Sequence, residues 1–476
     1  MQPAKPSRVT YTNQLGYLLI LVLVFGAVFF LIIASFVGYI ITQNQLVNFR
    51  YEQQRATEIA EGGLNYYKWH LAHFPTNYSG TTSYQFKDPE GGFIGEFSLE
   101  IASTTFCGSV ASIEIASTAF TYAEPDAVST VRAKYRRPTV AEYSFISNDG
   151  VWFGPSGVVV GPLHSNQGIR MDSFHNSFVG SGQASWTCNS SFGCNPSSVV
   201  NGVFRSAGGN STPGLFSFPV SPIDFAGLTL DLSDMKTRAM NNGGIYFPPS
   251  GARGYYANFL PNGEVQVRRV TGTHSYSAFS SSENWHTERN IISASTALPN
   301  QFINPACPLL FFEDNLWVEG RVNQKVTVAA ANLALGAQTN VIIEGNIDYV
   351  AGSDGGLLVI AEDDIDIGVE IPDNMIINGI YIAQKGRFGR NHYDINSFGG
   401  TINYLDAYLI RNSLTRVGTI VSNTRAVTNW VNGSGVTVSG IRSGTSSFDR
   451  DLIDNPPPLT PQTSDVYSFE DWRQDG

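Results

Sequence analysis

One stretch restricts this chain more than any other: the apolar run from Gly16 to Ile41, GYLLILVLVFGAVFFLIIASFVGYII, which contains no charged residue. At ~1.5 Å per residue a helix of that length exceeds the ~30 Å hydrocarbon core of a bilayer. A cleaved secretory signal has an apolar stretch of only about 7–15 residues followed by a small-x-small site. No such site follows here, so the run reads as a retained transmembrane helix. Lys5 and Arg8 precede it without an acid, while Arg50, Glu52, Arg55 and Glu58 follow it mixed. That asymmetry predicts a cytoplasmic leader over 1–15, a span over 16–41 and an extracytoplasmic bulk on the cell membrane.

The rest has the composition of an external β protein. Only 14% of the 476 residues are charged, against ~25% in an average globular chain, and 47 are Gly. The net charge of −11 lacks the basic face that nucleic acid requires, which sets that partner class aside. Cys188 and Cys194 lie in the turn-rich segment TCNSSFGCNP, which suits a small disulfide loop and offers no second ligand pair for zinc. Spacing alone leaves open whether Cys107 and Cys307 pair.

Helical patterning continues past the span. Leu46, Phe49, Ala56, Ile59, Ala60, Leu64, Tyr67 and Leu71 recur at steps of three and four between charged residues, so one helix is predicted to reach about His73 and stop at Pro75. Gly62-Gly63 marks a place where it could bend. From Tyr84 to Arg137 the period changes to two, in FIGEFSLEIAS, VASIEIAST and VSTVRAKYRRP, predicting a small antiparallel sheet. A long helix followed by such a sheet over 42–137, with AEGGLNYYKWHLAHFPTNYSG just after the apolar stretch, resembles the N-terminal region of type IV pilus assembly proteins of the PilX type and minor pilins. The resemblance implies packing beside other pilin-like subunits or pilus assembly machinery. It also implies processing between a Gly and an aromatic residue, for which Gly16 and Tyr17 are the candidates. The fifth residue after that junction is Leu21 where such pilins carry Glu. A tip or initiating subunit, with no neighbour above it to neutralise, suits that departure; so does a chain that is never processed.

From 145 to 476 the pattern changes again. NLWVEGRVNQKVTVAA, TNVIIEGNIDYVAG, GLLVIAEDDIDIG and MIINGIYIAQKG carry continuous apolar β-formers broken by Gly or polar turns, with Gly320, Gly345 and Gly379 at such turns. Continuous rather than alternating runs favour strands buried on both faces, as in stacked coils of a parallel β-helix; a β-sandwich is the alternative. Between about 215 and 305 the pattern lapses into a helix capped by Asp231 or Ser233 and a meander turning at Asn262-Gly263, read as a small α+β insertion. A Pro-rich tail, 452–476, follows. GPLHSNQGIRMD, GLLVIAEDDIDI, NGIYIAQKGRFGRNHY and the terminal PPP…FEDW resemble uncharacterised bacterial surface domains that accompany PilX-type N-termini.

Chemistry-bearing clusters are sparse. Asp363, Asp364 and Asp366, beside Glu362, are candidate cation ligands, and calcium is the cofactor such oxygens suit; strand alternation separates 363 from 364 and 366. Arg387, Arg390 and His392 follow about one coil later and read as structural hydrogen-bonding residues. β-Helical hydrolases resemble one another in NTD, DD, GHG and RIK elements, of which only Asp363-Asp364 is present. No nucleophile elbow, phosphate loop or HExxH occurs, so no catalytic residue is assigned. The expectation is a mainly β, membrane-anchored, pilin-like surface protein, a minor or tip component displaying a β-helical head to a surface glycan or protein. A static adhesin or envelope scaffold is the alternative, and an anchored carbohydrate-active enzyme the third.

Overall fold

The computed structural model describes residues 15–74, 77–78, 82–228, 231–333, 338–464 and 466–475. The leader with Lys5 and Arg8, and Pro75, lie outside these. The chain is mainly β and divides into two units. One takes in the described residues of Met1–Ala102 together with Glu114–Tyr135 and Phe469–Gly476; the other takes Ser103–Ile113 and Arg136–Ser468.

In the first unit, helix α1 (Leu15–His73) is continuous for 59 residues. Strands β1 (Thr82–Lys87), β2 (Phe93–Phe106), β3 (Ser109–Thr121) and β4 (Glu124–Arg136) form a sheet in that order, and the C-terminal strand Ser468–Asp475 adds to β4. Alternation does what the period of two requires. Ala127, Ser129, Val131, Ala133 and Tyr135 of β4 point inward, as do Phe97 and Leu99 of β2. The tail was expected with the large domain; instead Phe469 packs on Tyr135 at 4.4 Å and Arg132 pairs with Asp475 at 2.7 Å. Backbone pairing with an open sheet edge explains that placement better than composition could.

The second unit is built on parallel ladders. Along one, Ile245, Leu310, Val328, Val359, Tyr381, Ile420, Phe145, Leu163, Val179 and Phe216 stand on successive rungs. The chain therefore enters mid-stack at Phe145, builds outward to Phe216, restarts at the opposite end with Ile245, and closes against its own beginning through Ile420 and Phe145. A second ladder stacks Tyr255, Leu316, Val341, Ile365 and Phe388. These side chains merge in one apolar core. Strands Lys325–Ala330 and Gly356–Ala361 are buried at every residue, because helix Leu232–Asn241, Cys307 and Leu452 cover the outer face of their ladder.

The segment 215–305, read as an insertion, is only partly one. Its strands Ile245–Phe247 and Gly254–Phe259 begin the ladders. What protrudes is the antiparallel hairpin Glu264–Ser280/Asn284–Ala297. Asp231 caps the helix, accepting from Ser233 N and Asp234 N at 2.9 and 3.0 Å.

Turns of the stack carry a polar repeat that the sequence reading missed. Ser422, Ser147, Ser165 and Ser181 occupy one register column, each fully buried. Their hydroxyls donate to turn carbonyls, Ser147 to Asp149 O at 2.8 Å and Ser181 to Gln167 O at 2.8 Å. Beside them Asn148 donates to Asn423 and Asn166 to Asn148, both at 2.9 Å. The signal was S-N-x at 147, 165 and 422.

Candidate functional sites

Helix α1 has two halves with opposite surroundings. Among the described residues it is the one helix long and apolar enough to cross a membrane. Tyr17 is 84% exposed, Leu21 56% and Phe30 78%, so this half is not covered by any of the described residues. Gly16 and Tyr17 lie in its first turn. From Ala56 the picture reverses: Ala56, Ile59, Ala60, Leu64, Tyr67 and Leu71 are all buried, one stripe at helical spacing against the sheet. The glycine pair serves that contact. A Cβ on Gly63 would stand 2.3 Å from Ser117 Oγ and 2.8 Å from Phe97, and one on Gly62 2.7 Å from Phe86. The Tyr135 hydroxyl donates to the Leu64 carbonyl, and burial pushes its pKa far up.

Both cysteine pairs are disulfides. Cys188–Cys194, six residues apart, closes the turn of a two-stranded hairpin. Cys107–Cys307 joins residues 200 apart with Cα atoms at 4.5 Å. Arg238 and Asn242 both donate to the Cys107 carbonyl, at 2.9 and 3.2 Å, fixing that turn against helix Leu232–Asn241. Such bonds belong to an oxidising exterior.

Of the acidic residues 362–366, Glu362, Asp364 and Asp366 are engaged with cations of the protein itself. Asp366, between core residues Ile365 and Ile367, meets the buried Arg387 guanidinium at 3.2 Å. Asp364 accepts from the Arg387 backbone N–H at 2.6 Å. Glu362 takes Lys385 at 2.7 Å and the Asn332 N–H at 3.1 Å. Burial drives the Asp366 carboxyl well above its usual range, with Arg387 opposing. Among the described residues no three His, Cys, Asp or Glu form a group that could hold a metal ion, these aspartates included. Arg390, wholly buried, spends its guanidinium on the carbonyls of Gly368, Val369 and Tyr408.

A feature without a sequence forecast is an open groove of about 640 Å³ lined by Asn258, Glu319, Glu344, Asn346, Glu370 and Tyr408. Tyr256 donates to Glu319, and Tyr404 to Glu370 at 3.2 Å. Burial, then the neighbouring charges of Glu319 and Glu370, push Glu344 up to about 8. Its signal in the sequence is the Glu-Gly pair in VEGRV and IIEGNI.

The chain matches no protein-family model and no curated protein. Among solved structures it is similar to the competence-associated pilin ComZ from Thermus thermophilus, with a TM-score of 0.30 and 12% identity over 83% of this chain and 87% of that one. A likeness of that size carries no argument about fold or function.

Proposed function

We propose that this chain is a pilin-like, membrane-anchored surface protein, a minor or tip component of a type IV pilus-like system. The observation that carries the reading is the division of α1: one uninterrupted helix presents bare apolar side chains through Ile41 and then buries a stripe against a small sheet from Ala56 onward. Apolar side chains with no cover among the described residues call for lipid or another apolar helix. A bilayer supplies the first before assembly, and like helices the second within a filament. The large unit is then the displayed head, available for adhesion or envelope contact, with the leader cytoplasmic. No catalytic role, metal or cofactor is part of this reading.

Surface shearing tests it. A filament subunit is released into the sheared fraction from wild-type cells and stays with the membrane when the assembly ATPase is deleted. Retention in the membrane in both strains would overturn the reading and leave the static adhesin or scaffold, which Leu21 in place of the pilin Glu favours. The third reading, an anchored carbohydrate-active enzyme, draws its support from Glu344 and Glu319 in one groove. Reducing or unsaturated sugars released from glycans by the purified chain would bring it forward.

A further inference from the structure

At the turn of the protruding hairpin, four rings from three chain segments meet at the surface of the large unit. Phe279 and Trp285 are register partners across the hairpin with centroids 5.7 Å apart. His392 lies 5.7 Å from Trp285, and Trp430 lies 5.5 Å from Phe279 and 5.8 Å from His392. Trp285 is 52% exposed, and the other three are half-buried.

Phe279, His392 and Trp430 are held in place. Phe279 and His392 exchange both backbone hydrogen bonds, at 3.0 and 2.9 Å. The Trp430 indole donates to the Arg390 carbonyl at 2.9 Å, and Arg390 is itself fixed by three carbonyls. Trp285 is the solvent-facing indole of the four, and it rests against Phe279 and His392, whose backbones are already fixed. It offers a flat π face to the C–H face of a sugar ring as readily as to a base.

The surroundings select among occupants. Glu283, in the hairpin turn, is exposed and pairs with His286 at 3.4 Å. Its charge acts on Asp363 and Asp364, and burial, then Asp364 and Glu283, raise Asp363 to about 6. Carboxylates accept from hydroxyls and repel uronates, sulfates and phosphates. An apolar protein surface would strip water from these acids and return no hydrogen bond. His392 adds a buried Nδ1 with no hydrogen-bond partner among the described residues.

We propose that Phe279, Trp285, His392 and Trp430 form a binding platform for a neutral oligosaccharide, with a sugar ring stacked on Trp285 and hydroxyls donated to acceptors at the hairpin turn, Glu283 first. The proposal rests on the reading of the large unit as the displayed head and names the ligand class that head takes.

The full chain in a sugar-free detergent is titrated with cellohexaose, N-acetylchitohexaose and maltohexaose, with trigalacturonate as the anionic control, affinities being read by isothermal titration calorimetry in every variant and tryptophan emission followed in the wild type. At least one neutral hexamer should saturate with a blue shift while trigalacturonate does not. Trp285→Ala should weaken that binding at least tenfold, Trp285→Phe less than threefold, and Glu283→Lys, at an exposed turn, at least threefold. No binding of any neutral hexamer, binding within twofold of wild type in both Trp285→Ala and Glu283→Lys, or tighter binding of trigalacturonate would each overturn the proposal. ATPase-dependent release by shearing is read separately, so a head that binds no glycan and a chain that never enters a filament give different results.

Discussion

The sheet of the first unit and the ladders of the second solve the same problem in different ways. β4 buries every second residue, from Ala127 to Tyr135, and leaves Val128 45% exposed. Strand Gly356–Ala361 buries all of its residues. One-sided burial needs only α1 as a cover, so it can be written in a local alternation of residues. Two-sided burial needs rungs above and below, a core within and helix Leu232–Asn241 or Leu452 outside, none of which is local in sequence. Tolerance to substitution should differ accordingly.

The largest effect follows directly. Val359→Asp places an unpaired carboxylate in a closed core and should cost more than about 4 kcal/mol, enough to abolish cooperative unfolding of the large unit in urea. Val128→Asp, the same change on the exposed face of β4, should stay within about 0.5 kcal/mol. Equal costs would erase the distinction. Next, replacing both Cys107 and Cys307 by Ser releases a closed loop and should cost about 2–5 kcal/mol in a non-reducing melt, with a smaller loss when Cys188 and Cys194 are replaced.

The same contrast recurs inside α1. Leu64→Ala should lose about 2–5 kcal/mol of stability, since Leu64 is buried against the sheet. Leu21→Ala should leave the melting curve unchanged, since Leu21 is exposed; its cost should be read in membrane partitioning. A melt that responds to Leu21 would mean that the first half packs on its own chain.

The last contrast is a pH dependence. Glu344 titrates near 8 in the fold against about 4.5 ordinarily. Between those values the unfolded chain ionises while the fold keeps its proton, so stability falls as pH rises through that window and levels off above it. Glu344→Gln should remove that slope, making the variant's advantage larger at pH 8 than at pH 5 in urea titrations.

These differences also govern what could be read from residues alone. The long apolar helix, its buried stripe to His73 and the alternating strands are local, and each stands where the residue pattern put it. The continuous runs LLVIA and VTVAA announced two-sided burial, because no amphipathic strand would carry them. Their rung order was hidden: closure of Ile420 on Phe145 joins segments 275 residues apart, and the Thr419–Tyr143 and Asn148–Asn423 bonds fasten the same closure. Coil lengths vary, so the glutamates of the groove fall on no fixed period. The final strand was hidden for a similar reason, since SFEDWRQD is polar and only an open edge beside β4 gives it a place. The rings around Trp285 come from three segments and meet only after folding.

The central claim is that α1 is a pilin-type anchor, and the mature N-terminus tests it most directly. Mass spectrometry of native protein from membrane and sheared-surface fractions should find chains beginning at Tyr17, N-methylated, in the sheared fraction. Chains that retain residues 1–16 in every fraction would contradict the claim and leave a stationary anchor.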